Sequence, residues 1–122
     1  MESADTQIEL LNGFTDADQE AFLKYSLREA EDLPKTVDKV IDAWTRGDAK
    51  AMDALIHESA KDPALRPMLK KLLGERNRRM AGKLGEYLKT SEPHFVVVGA
   101  GHLVGEDGLL KLLAKKYDVK QM

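Results

Sequence analysis

The predicted fold and the candidate chemistry of this chain both depend on one stretch, residues 94–108, which reads HFVVVGAGHLVGEDG. Within it, Phe95–Val98 is a continuous apolar run without polar alternation, a pattern typical of a strand buried on both faces of a parallel sheet. The run ends at residues 99–108, hereafter the glycine loop, which carries His102. Open α/β sheets bind ligands beyond the carboxyl ends of their strands, so this loop is the predicted site of chemistry.

Residues 94–122 predict a small parallel strand-helix-strand unit. The apolar segment Leu109–Ala114 predicts a helix, and residues 117–122 predict the second strand, joined to the first by a right-handed crossover. Two parallel strands are rarely stable alone. We therefore expect further strands from outside this chain, supplied by a missing segment or by a second copy, or else helices covering both faces of a very small sheet.

The rest of the sequence predicts helices. Residues 1–60 form a helical region in which Thr15 with Asp18 makes a capping box and Asp48 caps a later helix. Residues 63–90 predict one long helix or two. The predicted fold class is thus α/β but predominantly helical, a helical body with a small parallel β unit, in a single domain over residues 1–122.

Composition gives few clues to function. The chain has 122 residues, a net charge of -2 and 33% charged residues, which is ordinary for a soluble protein. It contains no cysteine, so a metal would need His, Asp or Glu ligands. No stretch has the roughly 18–20 apolar residues of a membrane span, and the first residues lack a secretory signal pattern. Six basic residues between positions 70 and 83 without interleaved aromatics favour a solvated helix flank over nucleic-acid binding.

One group of candidate residues lies on the predicted long helix. Glu75, Arg76 and Asn77 place a carboxylate, a cation and an amide side by side. Arg76 and Asn77 fall on the apolar face, where an unpaired charge would be costly, so we expect Arg76 to meet a carboxylate, an anion or carbonyl groups. Glu75 has a structural alternative, a surface ion pair with Arg79 four residues later.

The second group of candidates lies in the glycine loop. Gly99 and Gly101 allow a sharp turn and the close approach of a ligand, Gly105 leads into the next helix, and His102 is a candidate functional side chain because it follows the predicted strand. The alternative is a tight connection whose histidine is solvated. The glycine spacing exceeds that of a dinucleotide fingerprint by one residue, and no acidic residue ends the following strand, so the sequence does not favour a bound dinucleotide.

These residues resemble the carboxyl-terminal half of the TraB/PrgY/GumN family, to which the Tiki proteins are related. The resemblance rests on the motifs ERNRRM at 75–80, FVVVGAGHLVG at 95–105, DGLL at 107–110 and YDV at 117–119, with weaker matches at 2–7 and at Trp44-x-x-Gly47-Asp48. It covers nearly the whole chain.

The resemblance implies a part of a metal-dependent, peptidase-like hydrolase. The family carries a Gly-x-x-His motif twice, and residues 99–102 match the second copy, whereas the first copy and the half that carries it are absent from this sequence. It implies a divalent metal (zinc, manganese or cobalt) held by His102 and by residues of the missing half. Glu75 would then act as a ligand or general base, and Arg76 would stabilise oxyanion charge. The chain alone is expected to be inactive.

A second hypothesis from a different class remains open. The chain could be a non-catalytic module in which Asn77 and the glycines Gly99, Gly101 and Gly105 bind a peptide, an anion or a partner protein. An exposed apolar strand also recruits a second copy, which predicts a strand-exchanged homodimer. The resemblance implies the cell envelope or periplasm for the parent protein, and the chain itself carries no signal for localisation.

Overall fold

The computed structural model of the protein describes residues 3–121 and is 66% helical. Its elements, in chain order, are α1 (Ala4–Asn12), α2 (Asp16–Glu29), α3 (Leu33–Thr45), α4 (Ala49–Ile56), a 3₁₀ turn (Glu58–Lys61), α5 (Arg66–Leu69), a π-helical segment (Lys70–Glu75), α6 (Arg76–Tyr87), a second 3₁₀ turn (Ala100–His102) and α7 (Leu109–Ala114). None of the helices in this described part of the chain is long and apolar enough to cross a bilayer.

Helices α1, α2 and α4 begin at side chains that cap free backbone N–H groups, whereas α3 begins without a side-chain cap. Thr15 and Asp18 form the predicted capping box at the start of α2, and the Asp48 carboxylate accepts the Ala51 N–H at 2.9 Å, so both predicted caps are confirmed. Packing contributes much less here. Neither α1 nor α2 has a buried residue, and α3 buries only Ala43.

The main apolar core lies in the second half of the chain. It is formed by Met80 and Leu84 of α6 and by Leu109 of α7, which is 1% exposed. Val98 and Leu103, which flank the first turn of the glycine loop, pack against this cluster. The loop is therefore attached to the best-packed part of the molecule.

The prediction of a parallel strand-helix-strand unit is wrong for residues 3–121, where no strand occurs. Phe95–Val98 has no regular secondary structure, and Phe95 is 94% and Val97 is 74% exposed, so the run is not buried on both faces. An apolar run becomes a central strand only when neighbouring strands pair with it, and the described part of the chain supplies none. The protein as described is helical rather than α/β.

The second predicted strand, residues 117–122, is instead a tail that crosses the helices, and its last residue lies outside the described range. The Tyr117 hydroxyl donates to the Gly85 carbonyl at 3.4 Å, and the Gln121 amide donates to the Gly47 carbonyl at 3.3 Å. Because these bonds reach α6 and the α3–α4 turn, the tail connects both halves of the fold.

The predicted long helix is present, but its regularity is interrupted. Residues 66–87 are helical in three successive segments, with the π-helical turn in the middle. A π turn holds more residues than an α turn, so it rotates everything that follows relative to a regular helix. The sequence placed Arg76 and Asn77 together on the apolar face. In the structure Asn77 is 2% exposed, whereas Arg76 is only partly buried.

Candidate functional site

The candidate site is built around the buried amide of Asn77, one residue into α6. Its Nδ2 donates to the main-chain carbonyl of Asp107 at 2.8 Å, and its Oδ1 lies 2.6 Å from Nδ1 of His102. The side chain thus joins the helix to both ends of the glycine loop. At 2% exposure, a single amide satisfies two hydrogen bonds that water would otherwise have to supply.

These contacts fix which nitrogen of His102 carries the proton. The Asp107 carbonyl can only accept a hydrogen bond, so the NH₂ group of Asn77 must face it and Oδ1 must face the imidazole. Since Oδ1 also only accepts, Nδ1 of His102 donates to it, which places the lone pair of a neutral ring on Nε2. This geometry is the usual one behind a histidine that binds a metal or accepts a proton through Nε2.

Local backbone bonds hold His102 at the start of the glycine loop. The N–H groups of His102 and Leu103 donate to the carbonyls of Gly99 and Ala100, both at 2.9 Å, which forms the 3₁₀ turn. Leu103 then packs into the core. Because the neighbouring Leu103 side chain is anchored in the apolar cluster, the loop holds the His102 imidazole against α6.

The end of the glycine loop closes tightly on its beginning. A Cβ atom on Gly108 would lie 2.3 Å from the Val104 carbonyl oxygen and 2.6 Å from that of Leu103, so only glycine fits there. This closure brings Asp107 beside α6. Its carboxylate lies 3.2 Å from Nη1 of Arg78, in a largely exposed ion pair. Asp107 was not among the candidate residues, because no periodic pattern relates it to Asn77 across 30 residues.

The other predicted catalytic residues lie beside Asn77 in the chain. Glu75 is exposed at the end of the π-helical segment. Arg76 is partly buried, and its Nη1 donates to the Leu72 carbonyl at 3.4 Å. Asn77 and His102 are the predicted site residues that the structure brings into contact. Catalytic roles for Glu75 and Arg76 stay predictions.

Two of the three predicted ligand-binding glycines, Gly101 and Gly105, lie against α4 and its C-cap. A Cβ atom on Gly101 would lie 3.5 Å from Ile56, and Gly105 adopts a φ of +86° beside Asp53 and His57. Gly99 is exposed and precedes the 3₁₀ turn. The sequence predicts that a ligand lies close to these glycines. At Gly101 and Gly105, helix α4 with its C-cap lies there instead.

An apolar cleft of about 300 Å³ lies beside the glycine loop, and Asn77 does not line it. Its walls come from the end of α3, the beginning of α4, the loop and the tail. They include Trp44, Met52, Leu103, Val104 and Val119. Trp44 is 64% exposed, so a large aromatic surface is open to solvent at the rim.

The described residues supply one strong candidate ligand for a metal rather than a full set. Within residues 3–121 no group of three or more His, Cys, Asp or Glu side chains is placed to hold a metal ion. A catalytic zinc site needs about three protein ligands. His102 fits as one of them, through Nε2, and the remaining ligands would have to come from elsewhere.

The candidate site lies within the part of the chain that matches a known protein family. The model of the TraB/PrgY/gumN family matches residues 1–121, which includes every residue of the candidate site. No curated protein and no solved structure gives a match.

Proposed function

Because the chain belongs to the TraB/PrgY/gumN family, we propose that it supplies the His102-bearing part of a metal-dependent, peptidase-like hydrolase. The observation that carries the proposal is the bond from Nδ1 of His102 to the buried amide of Asn77. A solvated histidine in a loop has no need of such a partner. A histidine that binds a metal does need one, because the bond to its second nitrogen fixes the ring and its tautomer.

The metal in this proposal is a divalent ion such as zinc, manganese or cobalt, and when bound it would supply an activated water or a polarised carbonyl. The described residues contribute His102 as one ligand. The rest of the site would come from a segment outside this sequence that carries the first Gly-x-x-His motif, or from a second copy. The run Phe95–Val98, whose first three residues are exposed, is the edge at which strands of that partner would pair.

Glu75 and Arg76 complete the proposal. Glu75 is exposed two residues before Asn77, so its carboxylate is available to act as a ligand or general base for a site completed by the partner. Arg76 is partly buried beside it, and its guanidinium would stabilise negative charge on a reacting carbonyl oxygen. Both roles depend on the partner, and we expect no hydrolysis by this chain alone.

The first test measures the tautomer of His102 in the metal-free chain by long-range ¹H–¹⁵N NMR. The expected result is a proton on Nδ1, lost as a preference in Asn77→Ala. Thr90→Ala is the matched control, because Thr90 Oγ1 lies 2.7 Å from Nε2 of His94, a histidine outside the site. Added Zn²⁺ should then perturb His102 more strongly than His94. Perturbation of His94 alone would count against the proposal.

The second test measures hydrolysis. The purified chain, supplied with peptide substrates and Zn²⁺, Mn²⁺ or Co²⁺, should show no turnover, whereas the parent protein with both Gly-x-x-His segments should turn over. In that parent, Asn77→Ala should lower activity about 10- to 100-fold, as loss of a metal ligand's supporting bond does. A His102→Ala parent that retained its full rate would show the assignment to be wrong.

The apolar cleft beside Trp44 favours the second candidate function, a module that binds a peptide without cleaving it. An apolar peptide side chain would fill the cleft, and the glycine loop forms one of its walls. Titration of the chain with a library of apolar peptides, followed by Trp44 fluorescence, distinguishes the two functions. Saturable binding by the chain alone, with no turnover in the parent, would favour the module.

A further inference from the structure

The last turn of α4 carries a second histidine that lies against the glycine loop. Nδ1 of His57 is 2.7 Å from Oδ1 of Asp53 and 3.1 Å from the main-chain oxygen of Asp53. Both oxygens accept hydrogen bonds, so Nδ1 is the protonated nitrogen and the ring is held by two acceptors at once. An imidazole at a helix end, which would otherwise rotate freely, is thereby fixed in one orientation.

This pair touches the glycine loop at a position where only glycine fits. A Cβ atom on Gly105 would lie 2.7 Å from Asp53 Oδ1 and 2.9 Å from Cε1 of His57. Gly105 also has a φ of +86°, which side chains disfavour. The loop backbone can therefore reach the Asp53–His57 pair only because residue 105 has no side chain.

Contacts continue from Gly105 to the candidate site. The Gly105 carbonyl accepts the Gly108 N–H at 3.0 Å, which closes the turn that contains Asp107. The Asp107 carbonyl holds the Asn77 amide, and that amide holds His102. The glycine loop is thus fixed on one side by α4 and on the other by α6.

We infer that the Asp53–His57 pair is a positioning device for His102. It fixes the second half of the glycine loop, as Asn77 fixes the imidazole itself. The inference rests on the proposed function only in treating His102 as the reactive group. The pair's side chains are 42% and 38% exposed, so their interaction contributes little to stability, and its consequence is the placement of the loop.

The test uses the full, metal-free chain and two comparable carboxylate deletions. Asp53→Ala removes the loop contact. Glu58→Ala removes the neighbouring Glu58–Lys61 pair, which is likewise an exposed helical ion pair. The readouts are the ¹⁵N shifts of the His102 ring and the hydrogen exchange of the His102 and Leu110 N–H groups, which donate to Gly99 and Leu103. Asp53→Ala should shift the ring and speed exchange about two- to tenfold, the loss expected for one hydrogen bond, whereas Glu58→Ala should do neither.

Two further variants distinguish a specific effect on the position of the glycine loop from a general loss of stability. Asp53→Asn keeps an acceptor for Nδ1 of His57, so it should restore most of the wild-type ring shifts. Gly105→Ala introduces the collision with Asp53 Oδ1, so its effect on exchange should be smaller in the Asp53→Ala background than in the wild type. If Gly105→Ala and Asp53→Ala acted independently, Gly105→Ala would change exchange by the same factor in both backgrounds.

The outcomes also separate this inference from the proposed function. Unchanged His102 shifts and exchange rates in Asp53→Ala would overturn the inference, whatever the metal affinity. Equal changes in Asp53→Ala and Glu58→Ala would overturn it as well. If the Asp53 variants move His102 as expected but Zn²⁺ does not bind there, the positioning device stands and the hydrolase proposal fails.

Discussion

The helices α1 to α3 and the segment from Leu65 to Leu113 have similar secondary structure but differ in how they are stabilised. In the first region α1 and α2 begin with side-chain caps, α3 begins without one, and only Ala43 is buried. The second buries Leu65, Met68, Met80, Leu84 and Leu109. The helices of the first region thus form with little burial of side chains. The candidate site, by contrast, lies in the well-packed second region, and its hydrogen bonds join residues 25 and 30 positions apart.

The apolar side chains of the first region show the same contrast. Leu10 and Val40 are partly buried, but many of the larger side chains remain between 46% and 67% exposed: Ile8, Leu11, Phe22, Leu23, Leu27, Leu33, Val37, Ile41 and Trp44. Helical periodicity therefore identified a face of each helix without identifying anything that covers it.

The largest expected effect is the loss of a core side chain in the second region. Leu109→Ala, at a position 1% exposed, should lower the free energy of unfolding by about 2–5 kcal/mol, because the lost contacts leave a cavity. Leu27→Ala, at a position 67% exposed on α2, should change it by less than about 0.5 kcal/mol. Urea unfolding followed by circular dichroism measures both, and equal losses would remove the contrast between the regions.

Two glycine substitutions sharpen the comparison within the second region. Gly108→Ala should destabilise by about 1–3 kcal/mol, because its Cβ would collide with the carbonyls of Val104 and Leu103. Gly82→Ala, on the exposed side of α6 with no atom within 4 Å of the new Cβ, should stabilise by about 0.5–1 kcal/mol. Melting temperatures that move in the same direction would contradict the packing seen at the glycine loop.

The smallest effect tests the caps of the first region. Main-chain and hydroxyl hydrogen bonds from Thr15 lower the pKa of the Asp18 carboxyl below its ordinary value. A lowered folded-state pKa means that the cap stabilises α2 fully above the ordinary pKa and loses this effect as pH falls through the lowered value. The circular dichroism signal at 222 nm should therefore decline less below pH 4 in Asp18→Asn than in the wild type.

The control is Asp16→Asn, in the same helical turn but outside the capping box. It should leave the acid-induced decline close to that of the wild type. A decline of identical size in Asp18→Asn would show that the capping box does not contribute to the helicity of α2 at low pH.

Much of the candidate site could be predicted from sequence, but only residue by residue. The apolar run that ends in glycines identified the loop of His102, and helical spacing brought attention to Asn77. Their contact could not be predicted, since it joins residues 25 positions apart, and the contact with Asp107 depends on the closure of the loop at Gly108. Nothing in the sequence around His57 indicates its contact with Gly105.

The strands were the main error, and the reason is physical. A run such as Phe95–Val98 has the composition of a central strand, but a strand is defined by hydrogen bonds to other strands. A sequence pattern reports what a segment would bury, whereas pairing depends on what lies beside it. In the described structure nothing pairs with this run, so it forms no strand and Phe95, Val96 and Val97 are exposed.

By itself, the sequence determined the helix starts, the glycine loop and the family, because caps, turns and motifs depend on residues close together in the chain. Tertiary structure alone decided that Asn77 fixes the tautomer of His102 and that Asp53 with His57 meets Gly105. Those contacts join residues 25 to 52 positions apart. Their geometry depends on how α4, α6 and the loop pack against one another, which no local pattern specifies.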